Sequence, residues 1–174
     1  MNKWLIAVFA VFLLAACNDK EEQNVNLAET EQVIEEGTVG FEIMGDNIEE
    51  VAGVPTEEKE AIIAAFDEYI ASFNAKDIDR YVNTLSNNPQ GFEVEEDMLV
   101  AEKIFEQYEI SKVASDVTIV KYSENEAQVY SNILTDMTEI ASGTELQDEG
   151  RQVTVFVKEN GNWKVTSIYY IGNQ

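Results

Sequence analysis

This chain of 174 residues carries 34 carboxylates and one thiol, and it has no histidine. The missing imidazole removes the commonest general base near neutral pH and the commonest metal ligand. Serine–histidine and cysteine–histidine nucleophile pairs are therefore excluded, as are zinc sites built on His and Cys clusters. Asp77 and Asp79 have the spacing that opens an EF-hand loop. That loop would need a further Asp or Asn where Tyr81 stands and a glycine where Val82 stands. The pair reads instead as a helix N-cap and a solvated acid. Asp136, Glu139, Glu145, Asp148 and Glu149 gather along one polar stretch, which composition favours as a solvated acidic loop over a calcium site. No metal and no cofactor is expected.

The thiol is placed by what precedes it. Met1-Asn2-Lys3 is followed by an apolar run from Trp4 to Leu14, then Ala15-Ala16-Cys17. A basic start and a short apolar run make an export signal, since a helix crossing the hydrocarbon core needs about 20 apolar residues. Leu14-Ala15-Ala16-Cys17 matches the lipobox of bacterial lipoproteins. Small side chains admit the extended backbone to a peptidase, and the Cys17 sulfur is the nucleophile that takes a diacylglyceryl group. The expectation is cleavage after residue 16 and a lipid anchor on the extracytoplasmic face of the cell membrane. Each buried acyl methylene adds about 0.8 kcal/mol, so two or three chains hold stably.

A formal charge of −23 opposes nucleic acid and anionic headgroups, because no basic patch exists to release counterions. Residues 17–54 read as the lipidated Cys and an acidic, mostly disordered tether, with Val39, Phe41, Ile43 and Met44 as a candidate edge strand.

Residues 55–174 form the domain that must position any site. Pro55-Thr56-Glu57-Glu58 reads as a helix start with Thr56 as N-cap. Ile62, Phe66, Tyr69, Ile70 and Phe73 then recur at helical steps. Asp77 caps a short helix with Ile78, Tyr81, Val82 and Leu85. A third helix is expected from about Glu95 to Tyr108, with Met98, Leu99, Ile104, Phe105 and Tyr108 on its apolar side. The period then falls to two. Strands are expected over 113–122, from Ala127 through Leu134, around Val153, Val155 and Val157, and from Trp163 to Tyr170. Residues 142–150 read as a polar loop, and Asn160-Gly161 as a tight hairpin. The fold class is α+β: three helices packed on one face of a curved antiparallel sheet.

Residues 67–79, Asp-Glu-Tyr-Ile-Ala-Ser-Phe-Asn-Ala-Lys-Asp-Ile-Asp, resemble the helix 1 to helix 2 passage of the nuclear-transport-factor-2-like (SnoaL-like) superfamily. The ending Asn160-Gly161-Asn162-Trp163-Lys164-Val165 is also typical. Pro89 through Tyr108, especially Phe105-Glu106-Gln107-Tyr108, is similar to a group of lipoproteins from Gram-positive bacteria. The resemblance spans about residues 56–171 and implies a cone-shaped fold, in a superfamily that holds enzymes, binders and dimerisation modules alike.

In the ketosteroid isomerases of that superfamily a helix-1 tyrosine and a protonated acid donate to an oxyanion while a carboxylate moves the proton. Tyr69 matches the tyrosine, Glu93 stands roughly where the base would follow, and no residue matches the protonated acid. The resemblance makes Tyr69, Phe73, Tyr81 and Tyr108 candidates for a pocket holding a small ligand. It makes Tyr130, Leu134, Phe156, Ile168 and Tyr170 candidates for an outer sheet face that binds a second copy or an envelope protein. Two functions stay open: a non-catalytic binding or interaction module, and a histidine-free proton-transfer or hydrolytic enzyme using Tyr69 and an acid.

Overall fold

A computed structural model of the protein describes residues 48–173. The export signal, Cys17, and Val39, Phe41, Ile43 and Met44 lie outside the described residues. Helix α1, Thr56–Asn74, buries Ile62, Phe66, Tyr69, Ile70 and Phe73 along one stripe. Its start differs from expectation: Thr56 is already helical, and Pro55 (φ −59°, ψ 142°) holds the capping position without a side-chain cap. Proline's fixed φ and missing N–H suit that boundary, and the Pro55 carbonyl accepts from Lys59 N at 2.9 Å.

Lys76 takes a left-handed φ of 53° and turns the chain into α2, Ile78–Thr84, where Asp77 Oδ1 accepts from Arg80 N at 3.1 Å as expected. Helix α3, Val94–Gln107, buries Ala101 and leaves Leu99 51% exposed, so Leu99 is not on its inward side. The chain passes from α3 straight into strand β1 at Tyr108, whose φ of −129° is already extended.

The sheet is an antiparallel meander of β1 Tyr108–Tyr122, β2 Glu126–Glu139, β3 Glu145–Glu159 and β4 Asn162–Gly172, paired in that order. Asn160 and Gly161, with φ of 50° and 83°, close the last hairpin, the geometry favoured for a two-residue turn. Bulges interrupt β1 between Ser115 and Thr118 and between Ile119 and Lys121, and a third offsets β3 from β4 at Val155/Phe156. Each adds bend to its strand. Two strands begin earlier than their alternation suggests. Residues 108–112 pair with the end of β2, and 145–149 pair with 134–138. Glu145–Glu149 are exposed on both faces, so no apolar period marks them.

Register corrects three of the outer-face residues. Ala127 pairs with Phe156, Thr154 with Ile168 and Gln152 with Tyr170, which places Phe156, Ile168 and Tyr170 on the face that carries Ala127, Val129 and Ile133 toward the helices. The reason in β4 is the bulge. Phe156 pairs with Val165 while Val155 pairs with Ser167, leaving Thr166 as the extra residue. Trp163 and Val165 therefore share the inward side with Ile168 and Tyr170. Tyr130 and Leu134 do lie on the opposite face, with Val113, Val153 and Tyr169 as cross-strand neighbours.

The core runs from Ile62 and Phe66 of α1 to Ile119, Val129, Phe156, Trp163 and Val165 of the sheet. Among the described residues no helix is long and apolar enough to cross a membrane.

Candidate functional site

The second half of α1, then α2 and α3, stand over the part of the sheet where β1 begins and β2 ends. Between them lies a cavity of about 360 Å³, near the lower end of the range of ligand pockets, about 300–1,000 Å³. Ala101, Ile104, Ile110, Ile133, Met137 and Ile168 supply apolar wall. Tyr69, Phe73 and Tyr81, expected from the sequence, line it together. Tyr108, the first residue of β1, is not among the side chains that line it. Glu93 is exposed at the N-terminal boundary of α3. Among the described residues no three His, Cys, Asp or Glu side chains gather closely enough to hold a metal.

Two charged groups in the cavity were not singled out in the sequence. One is Asp97, one turn into α3, whose Oδ2 accepts a 2.8 Å hydrogen bond from the Tyr81 hydroxyl. The other is Lys112 on β1. Phe73 meets Tyr81 edge-on with ring centroids 5.3 Å apart, and the Lys112 ammonium sits 4.2 Å from the Phe73 ring centroid. Asn74 fixes the root of that lysine: its Nδ2 donates to the Lys112 carbonyl at 2.8 Å, and the Lys112 N–H donates to its Oδ1 at 2.7 Å. A helix-end amide thus acts as one rung of a strand along β1.

Burial governs the acidities. It pushes Asp97 above the usual carboxylate range, with Tyr81 and Lys112 pulling it back. It lowers Lys112, against the opposing charge of Asp97. The hydroxyls of Tyr69 and Tyr81 are both raised, mainly by burial, with Asp97 adding to the effect on each. The set is a chain of hydroxyls and one carboxylate facing one cation across an apolar floor.

At the mouth, the Tyr170 hydroxyl donates to Asp148 Oδ2 at 2.5 Å, and desolvation followed by that bond pushes Tyr170 up to about 12. Its ring crosses β3 at Gly150, where a Cβ would stand 2.6 Å from the ring's Cζ and 2.5 Å from the Ile171 carbonyl oxygen. Only glycine leaves room for that crossing.

Residues 64–171 match the family described as the anti-sigma-I factor RsgI9, C-terminal domain. The chain belongs to this family. The match runs from the middle of α1 to the end of β4, and so takes in every element that lines the cavity. No curated protein matches the chain. Solved structures agree on the fold. A ketosteroid isomerase-like protein from Erwinia carotovora atroseptica is 21% identical with a TM-score of 0.57, over 69% of this chain and 99% of its own. A nuclear transport factor 2 (NTF2-like) superfamily protein from Salmonella enterica serovar Typhimurium gives 15%, 0.59, 68% and 93%. A conserved protein from Planctomyces limnophilus gives 13%, 0.63, 68% and 100%. At these identities the likeness speaks for the nuclear-transport-factor-2-like fold and for nothing in the pocket.

Proposed function

We propose that this family member is a non-catalytic binding module that takes a small ligand into its cone. On this reading it is displayed on the outer face of a bacterial cell membrane by lipid on Cys17, as in Gram-positive lipoproteins. The observation that carries the binding reading is the cavity itself. A cone used only as a rigid spacer would fill with its own side chains, since protein interiors close-pack. Here about 360 Å³ stays open beside Phe73, Ile104 and Ile133. The family's name supports a module attached to another activity, because in RsgI9 the matched domain is the C-terminal part of an anti-sigma factor. The anchor rests on Leu14-Ala15-Ala16-Cys17 after the apolar run.

Native mass spectrometry of the chain purified from its host tests the cavity reading. A retained small molecule is expected, and Ala101→Phe, which projects a ring into the space, should expel it while the fold persists. A wild-type chain that carries nothing and binds no apolar probe would sink the reading. Acyl-chain labelling that persists in Cys17→Ala would sink the anchor.

An enzyme of proton-transfer type is the second reading, favoured by the Tyr69, Tyr81 and Asp97 cluster. Its acid would be Asp97, not Glu93. Against it stands the use of Asp97: one oxygen is already held by Tyr81. A Tyr69→Phe variant with unchanged cellular function would remove the version that rests on that hydroxyl.

A further inference from the structure

We propose that the cavity selects a small apolar monoacid, whose anionic group is held by the Lys112 ammonium while its hydrocarbon body lies along the isoleucine wall. This rests on the cavity being a ligand site and names the class of ligand. The first argument is an unfilled donor set. An ammonium carries three N–H donors, yet among the described residues Lys112 Nζ meets no hydrogen-bond acceptor and no carboxylate within ion-pair distance. Its one close partner is the Phe73 ring at 4.2 Å. Lys112 is half-buried, and a ligand that displaces water from its ammonium must supply acceptors in its place, which an anionic group does. Asn74 holds the Lys112 backbone at both polar atoms, so the side chain starts from a fixed point.

The second argument is the position of the counter-charge. Asp97 influences Lys112 through space but spends Oδ2 on Tyr81. It offsets part of the lysine's charge and leaves the ammonium's donors free. The third is the wall, which is mostly apolar: Ala101, Ile104, Ile110, Ile133 and Ile168 face the space. Of its polar groups, Tyr81, Asp97, Gln152, Asp148 and Tyr170 already bond to neighbours, which leaves few partners for a polyhydroxylated ligand. The fourth sets the charge at one. Among the described residues Lys112 is the one cation that lines the cavity, and Asp97 and Asp148 line it too, so a second negative group would meet carboxylates and no counter-charge. Phosphate esters and nucleotides fit this poorly; aryl and branched carboxylic acids fit it well.

The test uses the intact chain in phosphatidylcholine nanodiscs, with empty nanodiscs as the blank. The probes are acids from benzoate to 4-phenylbutyrate, each paired with its neutral alcohol. The expected result is at least one acid bound about tenfold or more tighter than its alcohol. Lys112→Met should abolish that preference, with each such acid falling about tenfold or more to the level of its alcohol. Lys112→Arg, which keeps the charge, should retain part of the preference, and matched melting curves exclude unfolding. Alcohols bound as tightly as acids, or a preference that survives Lys112→Met, would overturn the monoacid and leave the cavity reading standing. Binding of neither set to wild type or to Lys112→Met would overturn both.

Discussion

The two ends of this domain solve opposite problems. At one end the first half of α1 meets the β2–β3–β4 hairpins, and Ile62, Phe66, Val129, Phe156 and Val165 are all shut off from solvent. At the other, the same helix and sheet part around a cavity lined by Tyr81, Asp97 and Lys112. Their carboxylates differ in the same sense. At the packed end Glu58 is held below the usual carboxylate range, chiefly by Lys158, and Glu159 chiefly by the Ser86 hydroxyl. At the open end burial drives Asp97 the other way. The packed end is filled by its own side chains, and the open end leaves space beside charged ones.

The largest expected effect tests the packed end. Phe66→Ala should cost about 3–5 kcal/mol, the range for removing a buried phenyl ring from a close-packed core, measured as the shift in urea unfolding. A loss under about 1 kcal/mol, far below that range, would break the comparison, because the packed end would then be slack as well. Next comes the mouth. Gly150→Ala sets a methyl against the Tyr170 ring and the Ile171 carbonyl, and overpacking of this kind costs about 1–3 kcal/mol. It should also move the Tyr170 signal in near-ultraviolet circular dichroism, while a change in stability with Tyr170 unmoved would place the strain elsewhere.

Within the cavity, Tyr81→Phe removes the donor to Asp97 Oδ2 and leaves a part-buried acceptor short of one partner, at a cost of about 1–3 kcal/mol. Its pH dependence separates the ends further. A carboxyl raised in the folded state contributes stability that is full below its ordinary value and lost as pH rises through the folded one. For Asp97 that window opens at 3.8 and extends upward. Glu159 runs the other way: its contribution is full above 4.5 and lost as pH falls through its lowered value. Asp97→Asn, which keeps an acceptor for Tyr81, should therefore gain on wild type as pH rises from 3 to 7. Glu159→Gln should lose on wild type over the same range. Parallel pH profiles for the two variants would erase the electrostatic half of the comparison.

The sequence exposes the packed end far better than the open one. The stripe from Ile62 to Phe73 and the Asn160-Gly161 turn follow from helical period and turn chemistry, and both stand in the structure. Tyr69, Phe73 and Tyr81 are legible as inward residues, because each continues an apolar stripe, and it is the family resemblance that makes them residues of a cone. Asp97 and Lys112 are not legible as such. Asp97 sits behind Glu95 and Glu96 and passes for one more first-turn acid. Lys112 lies just before the strand expected over 113–122, because β1 begins earlier, at Tyr108. What marks them is parity: Asp97 falls on the stripe of Val94, Ala101 and Ile104, and Lys112 falls between Ile110 and Ala114 on the inward side of β1. A charge on an apolar stripe is the available signal, and it takes the register to confirm it. The third bulge was out of reach altogether, since Trp163 to Tyr170 alternates plausibly without a break and only pairing with β3 reveals Thr166 as extra.

The smallest effect is the sharpest comparison, because it makes the same change at both ends. Ile62 is fully buried in the packed core, so Ile62→Val opens a gap that neighbours cannot fill, at a cost of about 1 kcal/mol. Ile104 already faces open space. One methyl fewer there enlarges an existing cavity and forfeits few contacts, so Ile104→Val should cost under about 0.5 kcal/mol, below the usual range for that substitution. The difference between the two variants, read from paired denaturation curves, is the quantity that counts. Equal costs would mean that the Ile104 wall closes on itself in solution, leaving no standing space for a ligand. A cost at Ile104 that appears only after an aryl acid is added would mean that the missing packing partner is the ligand itself.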